Sequence, residues 1–182
     1  MQPIRQLSRV LASLADDEHY LFSLTDLRCA LPTHSFGAFR AVISRAEKEG
    51  TLTRVCRGLY LYPSVHYERG LVLYHAAARL RADEFNYLSL EYVLSDSGVI
   101  SQIPMNWITL MSSGRSYVVR CGDFGAIEFI HTKKHPSELF DQLTYDARCH
   151  LWRASVALAL KDMKAAKRSM DLIDWSAANE LV

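Results

Sequence analysis

The sequence predicts an α+β protein in two parts, and three observations lead to this class. In residues 1–63, apolar residues recur at helical spacing in three successive segments, and two short segments rich in β-formers follow. In residues 64–182, helical segments come first, and strand-like segments then flank a Gly-Asp-Phe-Gly turn. Helical patterns return near the end of the chain. Because helices and strands are segregated in this way, we expect these two ranges to form separate domains.

The composition is that of an ordinary folded protein. Hydrophobic residues make up 49% of the 182 residues and charged residues 23%, and the net charge is +1. So small a charge predicts no general attraction to nucleic acid or membrane, and any electrostatic binding has to be local. The four cysteines are scattered, and the histidines show no ligand spacing. No apolar run reaches the length of a membrane span, so we expect a cytoplasmic protein. From the cysteine and histidine spacing we expect no metal, and we expect no cofactor.

The first two helices are predicted from apolar spacing and from their ends. Residues 4–15 carry one apolar stripe with the spacing of a helix face. A shorter helix follows, with Ser23 or Thr25 as its N-cap. It ends at Leu31, because the residue before Pro32 avoids the helical conformation.

The third helix starts after an N-cap at Thr33 or Ser35 and runs to about Glu49, where Gly50 provides the stop. Its predicted buried face consists of Phe36, Phe39, Ile43 and Ala46. The opposite face is small in its first half and basic in its second half. Its members are His34, Gly37, Ala38, Ala41, Ser44, Arg45 and Lys48.

A hairpin is predicted after the third helix. Residues 51–55 and 59–62 are rich in β-formers and flank Cys56-Arg57-Gly58, where glycine permits the turn. We expect Leu59 and Leu61 to anchor the second strand, with its tyrosines on the other side. Three helices followed by a hairpin are typical of a winged helix-turn-helix.

The second domain is predicted to contain helices at residues 68–81 and 89–97 and strands at 106–111, 116–121 and 126–131. Helices return from Pro136 and continue through Leu151 to about Met170. The predicted fold is therefore α+β: an N-terminal winged helix-turn-helix, then an α+β domain with a small antiparallel sheet and C-terminal helices.

The outer face of the third helix and the hairpin predict DNA binding. A helix that enters the major groove needs small residues near the bases and polar or cationic residues near the phosphates. Two arginines flank the hairpin turn, and the start of the helix favours a phosphate. A solvated basic face on a structural helix is the alternative. The candidate DNA contacts are His34, Ser35, Ala38, Arg40, Ala41, Ser44, Arg45, Lys48, Arg54 and Arg57.

A catalytic role is not predicted. A metal-dependent nuclease would bring together residues such as Asp123, Glu128 and Lys133. The spacing of five between the last two places them on opposite faces of a strand. The sequence also lacks a glycine-rich phosphate loop and a nucleophile motif.

A second basic group lies near the C-terminus at helical spacing. It is either a solvated helix face or a surface for an acidic partner. Its members are Lys161, Lys164, Lys167 and Arg168.

Two stretches resemble the AbiEi antitoxins of type IV toxin–antitoxin systems. EKEGTLTRVCRGLYLYP, residues 47–63, is similar to the hairpin of that family with its Arg-Gly-aromatic end. YLSLEYVLSDSGVISQIPMNWITLMSSGRS, residues 87–116, is similar to a family helix with Ser-x-Glu-x-x-Leu, a glycine turn, Ile-Pro and a strand. The resemblance spans most of residues 1–135.

The resemblance implies functions for both domains. The N-terminal domain would bind inverted repeats in the promoter and repress the operon. The C-terminal domain would neutralise a nucleotidyltransferase toxin encoded beside it, without requiring a stable complex with the toxin. An inverted-repeat operator implies two copies of the protein on DNA, whether or not the free protein is a dimer.

Two alternatives stay open. One is a stand-alone winged-helix regulator whose C-terminal domain senses an effector. The other is a protein-interaction module in which the hairpin merely packs against the helices.

Overall fold

The computed structural model of the chain describes residues 2–101 and 105–182. The chain divides into two compact units, one up to residue 72 and one from residue 73 onward. Each unit contains helices and a sheet, so the predicted α+β class is confirmed. The Ile-Pro pair at positions 103 and 104, part of the second quoted stretch, lies outside the described residues.

The first unit contains three helices and three short strands. Ser23 caps the second helix in a capping box with Asp26, and Ser35 caps the third helix by accepting a hydrogen bond from the amide of Ala38. The structure thus selects one of the two predicted N-caps in each case. The elements are α1 (Pro3–Leu14), β1 (Leu21–Ser23), α2 (Leu24–Ala30), α3 (Phe36–Lys48), β2 (Thr53–Cys56) and β3 (Leu59–Leu61).

The sheet of the first unit has the order β1-β3-β2, so β3 is its central strand. The expectation that Leu59 and Leu61 anchor this strand is confirmed, but its tyrosines are not left on an open face. Tyr60 and Tyr62 belong to the core formed with α1, α2 and α3, while Leu59 and Leu61 are also buried. The strand β1, which the sequence reading missed, pairs with β3 along its whole length of three residues. A central strand covered on both faces loses the alternation from which one buried face is predicted.

The predicted buried face of α3 is correct at three positions and wrong at one. Phe39, Ile43 and Ala46 are buried, but the side chain of Phe36 is 67% exposed. Phe36 is the first residue of the helix, at the edge of the apolar stripe, and the core does not extend over it.

The second unit is built on a six-stranded sheet with the order β6-β7-β5-β4-β9-β8. The predicted small antiparallel sheet is therefore wrong in size and in kind, because β5 pairs with β7 and β4 pairs with β9 in parallel. Parallel partners lie far apart along the chain, and local patterns do not reveal them. The strands are β4 (Asn86–Leu88), β5 (Trp107–Ser112), β6 (Tyr117–Arg120), β7 (Ala126–His131), β8 (Leu143–Asp146) and β9 (Leu151–Ala154).

The predicted helical region from Pro136 to Met170 is interrupted. The strands β8 and β9 form an antiparallel hairpin inside it, so Leu151 lies in a strand. Neither strand alternates between buried and exposed residues, so this hairpin lacks the pattern of period two that marks a half-buried strand. The helices associated with this unit are α4 (Val72–Leu80), α5 (Leu90–Asp96), α6 (Pro136–Leu139), α7 (Val156–Ala165) and α8 (Trp175–Glu180).

Candidate nucleic-acid interface

A groove of about 630 Å³ lies between α3, the start of α2 and the turn that joins β2 to β3. We call it the α3 groove. Its walls combine apolar rings with cationic groups, and they include Phe36, Arg40, Ser44, Arg54, Arg57 and Tyr60. Four of the ten predicted DNA contacts, two from the helix and two from the hairpin, therefore line one concave surface.

The other six predicted contacts lie on α3 or at its start, outside the lining of the groove. His34 is half-buried, and its carbonyl oxygen accepts a hydrogen bond from Arg28. The remaining five are exposed, and Ser35 among them is the N-cap of α3. These five are Ser35, Ala38, Ala41, Arg45 and Lys48.

The geometry of the hairpin places its two arginines and the Val-Cys pair between them in different environments. Gly58 has φ of +82°, a left-handed conformation that glycine adopts without strain. The register between β2 and β3 shifts between Arg54 and Cys56, which is a β-bulge. As a result, Val55 and Cys56 are both buried, whereas Arg54 and Arg57 are both exposed. A bulge re-aims side chains in this way, and here it directs two cations away from the core.

Among the described residues, few carboxylates face the cations of the α3 groove. Within residues 2–101 and 105–182, the guanidinium groups of Arg54 and Arg57 make no ion pair, and Glu47 is the acidic residue in the groove lining. Burial raises the pKa of the Tyr60 hydroxyl, and the negative charge of Glu47 raises it further. The positive charges of Arg54 and Arg40 oppose that rise, so charges from the helix and the hairpin act on one hydroxyl.

The region that contains this groove matches a known family. Residues 9–63 match the AbiEi antitoxins. The family is described as a transcriptional regulator, AbiEi antitoxin. The matched range includes the whole first quoted stretch, and there the resemblance predicted from the sequence is confirmed. No curated protein matches the chain.

The AbiEi match covers less than a third of the chain, and it ends at Pro63. Every residue that lines the α3 groove falls inside this range. The second quoted stretch, residues 87–116, lies outside it, so the resemblance there stays a prediction. The description of the AbiEi family names a regulator and antitoxin and does not name an enzymatic activity.

Two further arginines within the matched residues 9–63 form contacts inside the protein. Arg28 donates hydrogen bonds to the carbonyl oxygens of Leu31 and His34, so it holds the turn between α2 and α3. Arg45 pairs with Glu49 one helical turn away at 2.7 Å, and both side chains are largely exposed. An exposed pair of this kind contributes little to stability, so the guanidinium of Arg45 remains available to a stronger anionic partner.

Phe36 is an exposed residue of the groove lining that the sequence analysis did not predict as a site. Its ring is exposed, and the guanidinium carbon of Arg40 lies 5.6 Å from the ring centroid. The spacing of four residues on a helix places these two side chains side by side. The four-residue spacing of Phe36 and Arg40, together with the position of Phe36 at the start of the helix, was the signal in the sequence from which this pair could have been predicted.

The basic group near the C-terminus does not form one helical stripe. The helix α7 ends at Ala165, so Lys167 and Arg168 lie beyond it. Arg168 contacts two carboxylates of its own unit, Glu91 at 3.1 Å and Glu128. Lys161, Lys164 and Lys167 are exposed, and their binding role stays a prediction.

The helix α7 is also held by a buried carboxylate. Asp162 is fully buried and accepts hydrogen bonds from Ser89 at 2.7 Å and from the ammonium of Lys134 at 2.8 Å. A groove of about 530 Å³ lies beside this pair, with His131 and Lys133 in its lining. Ser89 and Glu91, the polar residues of the family-like Ser-x-Glu motif, thus both bind charged residues of the C-terminal part of the chain.

No metal site or membrane span is found in the part of the chain that the structure describes. Over residues 2–101 and 105–182, no three His, Cys, Asp or Glu side chains are grouped so that they could hold a metal ion. Within the same residues, no helix has the length and apolar character needed to cross a membrane.

Proposed function

We propose that the first unit is a winged helix-turn-helix that binds double-stranded DNA, and that the protein is an antitoxin that represses its own operon. The observation that carries this proposal is the α3 groove, where Arg54 and Arg57 face solvent and form no ion pair with any residue that the structure describes. The match of this region to a family of transcriptional regulators supports the same function.

The order of elements supports a winged helix-turn-helix. The chain runs α1-β1-α2-α3-β2-β3, and its three strands form one antiparallel sheet beside the helices. In a helix-turn-helix, the second helix of the pair enters the major groove and its N-terminal residues contact base edges. In this chain that helix is α3, and β2 and β3 form the wing.

The ten candidate residues divide into three groups by their position. Arg54 and Arg57 of the hairpin contact phosphates, which orients the protein without reading sequence. His34 and Ser35 lie at the start of α3, where the helix amides and dipole attract a further phosphate. The exposed side chains along α3 face the bases and the adjacent backbone; they are Ala38, Arg40, Ala41, Ser44, Arg45 and Lys48.

The second unit carries the antitoxin activity in this proposal. Its functional partner is a nucleotidyltransferase toxin encoded next to it, and neutralisation does not require a stable complex of the two proteins. The protein acts without a cofactor and without catalysis. Two copies bind an inverted repeat in the promoter.

A regulator with an effector-binding second unit is the alternative function. The groove of about 530 Å³ beside Lys134, with His131 and Lys133 in its lining, favours it. The gene next to this one separates the two functions, because a nucleotidyltransferase neighbour supports the antitoxin and its absence supports the stand-alone regulator.

A gel shift tests DNA binding. Full-length protein is titrated against its own promoter and against random DNA of equal length, at low salt and at physiological salt. We expect the promoter to shift at a lower protein concentration, with a difference that persists as salt rises. Equal binding to both DNAs under all conditions would show that the protein is not a specific DNA-binding protein.

Co-expression with the neighbouring toxin tests the antitoxin function separately. We expect the wild-type chain to restore growth, and we expect the full-length double variant Arg54→Ala/Arg57→Ala to restore it as well. That variant binds the promoter more weakly but keeps the second unit intact. Continued growth arrest with the wild-type chain would exclude the antitoxin function.

A further inference from the structure

Phe36 and Arg40 form an exposed pair that the packing of the protein does not require. The ring of Phe36 is 67% exposed, although the other phenylalanine of this helix, Phe39, is buried. Both members of the pair line the α3 groove, and the guanidinium of Arg40 lies over the ring of Phe36. A single exposed apolar residue is common in proteins and needs no explanation. Here, however, the ring belongs to a pair on the face of α3 that is proposed to meet DNA.

The pair offers two kinds of contact side by side. The Phe36 ring has no polar atom, so it can recognise an apolar group and cannot hydrogen-bond to a base edge. The guanidinium of Arg40 beside the ring is a planar fork with several donors in fixed geometry. The cation–π contact with the ring limits the positions of that fork, which lowers the entropy that is lost when it binds a planar acceptor pair.

The major groove of DNA presents the matching groups on adjacent bases. Thymine contributes the C5 methyl group, which apolar side chains such as phenylalanine contact. Guanine contributes O6 and N7, two acceptors that arginine binds with both arms of its fork. In helix-turn-helix proteins, these edges are read by residues at the start of the recognition helix, and Phe36 is the first residue of α3.

We propose that Phe36 contacts a thymine methyl group in the major groove and that Arg40 binds the guanine next to it. The α3 groove then recognises a step of adjacent thymine and guanine. This inference rests on the proposed DNA binding and deepens it, because it assigns sequence specificity to two side chains. The phosphate contacts of Arg54 and Arg57 add affinity and carry no sequence information.

The first part of the test uses the DNA. The full-length protein selects its preferred site from random sequence, and each thymine of that site is then replaced by deoxyuridine, which removes only the methyl group. For the wild type, we expect one replacement to raise the Kd about fourfold, as the loss of one buried methyl group predicts. For Phe36→Ala, the same replacement should change the Kd by less than about 1.5-fold, since the ring that meets the methyl group is gone.

The second part uses the neighbouring guanine. Replacing it with 7-deazaguanine removes the N7 acceptor and should weaken the wild type about tenfold, while Arg40→Gln should not respond to the replacement. Phe140→Ala is the matched control, because Phe140 is also an exposed phenylalanine but lies in the second unit. This control should respond to both base analogues as the wild type does. Circular dichroism checks that Phe36→Ala is folded, which is expected since the ring is exposed.

The outcomes separate this inference from the proposed function. If a specific site is selected but every deoxyuridine replacement affects wild type and Phe36→Ala equally, the thymine contact is wrong and DNA binding stands. If no replacement affects the wild type but Phe36→Ala binds DNA much more weakly, the ring of Phe36 would act as a wedge between bases. That result would also overturn the inference. Failure to select any site over random DNA would overturn the proposed function, and the inference with it.

Discussion

The α3 groove of the first unit and the ion pairs of the second unit use charged side chains in opposite ways. In the α3 groove of the first unit, Arg54 and Arg57 are exposed and make no ion pair within the described residues. In the second unit, Lys134 pairs with the buried Asp162, and Arg168 contacts two carboxylates. The net charge of +1 conceals this contrast, since it counts paired and unpaired groups alike.

The paired charges of the second unit stabilise the fold, whereas the exposed cations of the α3 groove are available to a ligand. A buried charge must be paired, because leaving it alone in the interior is costly. An exposed cation stays in water and needs no partner, so it remains able to neutralise a phosphate. Substitutions should therefore affect stability in the second unit and DNA binding in the first. Four substitutions or pairs of substitutions test this division.

The largest effect is expected from Lys134→Met. It leaves the fully buried carboxylate of Asp162 without its cationic partner, so the free energy of unfolding should fall by about 3–5 kcal/mol. All three tryptophans lie in the second unit, at positions 107, 152 and 175, so tryptophan fluorescence during urea denaturation reports on that unit. The control is Lys133→Met at the next, exposed position, which should unfold like the wild type. Equal midpoints for the two variants would show that the buried pair does not stabilise this unit.

A smaller loss of stability is expected from Arg168→Met. This change removes the cation that joins Glu91 of α5 to Glu128 of β7, and hydrogen bonds to charged groups contribute about 1.5–3 kcal/mol. Lys167→Met, at the exposed neighbouring position, serves as the control. Both variants should bind promoter DNA with wild-type affinity. If Arg168→Met weakened DNA binding while stability stayed constant, Arg168 would belong with the ligand-binding charges.

Arg54→Ala and Arg57→Ala should change DNA binding and leave stability unchanged. Each should weaken binding to many DNA sequences alike, by about threefold to tenfold at moderate salt. The slope of log K against log salt should become shallower by about 0.9 for each lost phosphate contact. Arg9→Ala, at an exposed position of α1, is the control. Should all three variants show the wild-type slope, the hairpin would not contact phosphates.

The smallest effect is expected from Glu49→Ala, which breaks the exposed pair with Arg45. The free energy of unfolding should change by less than about 0.5 kcal/mol, because exposed ion pairs contribute little. The thermal transition measured by circular dichroism checks this. DNA affinity should rise by up to about twofold, since a negative charge near the proposed interface is removed. The reciprocal variant Arg45→Ala should be equally stable but should bind DNA less tightly, and the opposite order of affinities would place Arg45 outside the interface.

The sequence predicted the elements of the first unit more completely than their packing. Neighbouring residues narrowed the N-cap of α2 to Ser23 or Thr25 and that of α3 to Thr33 or Ser35, and they predicted the left-handed turn at Gly58; the structure has Ser23, Ser35 and that turn. The exposure of Phe36 was not predictable from its spacing, because it depends on how far the core extends over the first turn of α3. The same limit applies to Tyr60, which packs in the core because β3 is a central strand.

In the second unit, most helices and three of the six strands could be predicted from local sequence. The strands and the glycine turn between residues 106 and 131 carry local signals of alternation and turn chemistry. The hairpin of β8 and β9, the parallel pairing of β4 with β9 and the partners of Asp162 and Arg168 were decided by tertiary structure. Ser89 and Asp162, for example, are 73 residues apart in the chain. Local sequence determines where a helix or turn begins, but a pairing over such a distance exists only once the intervening chain has folded.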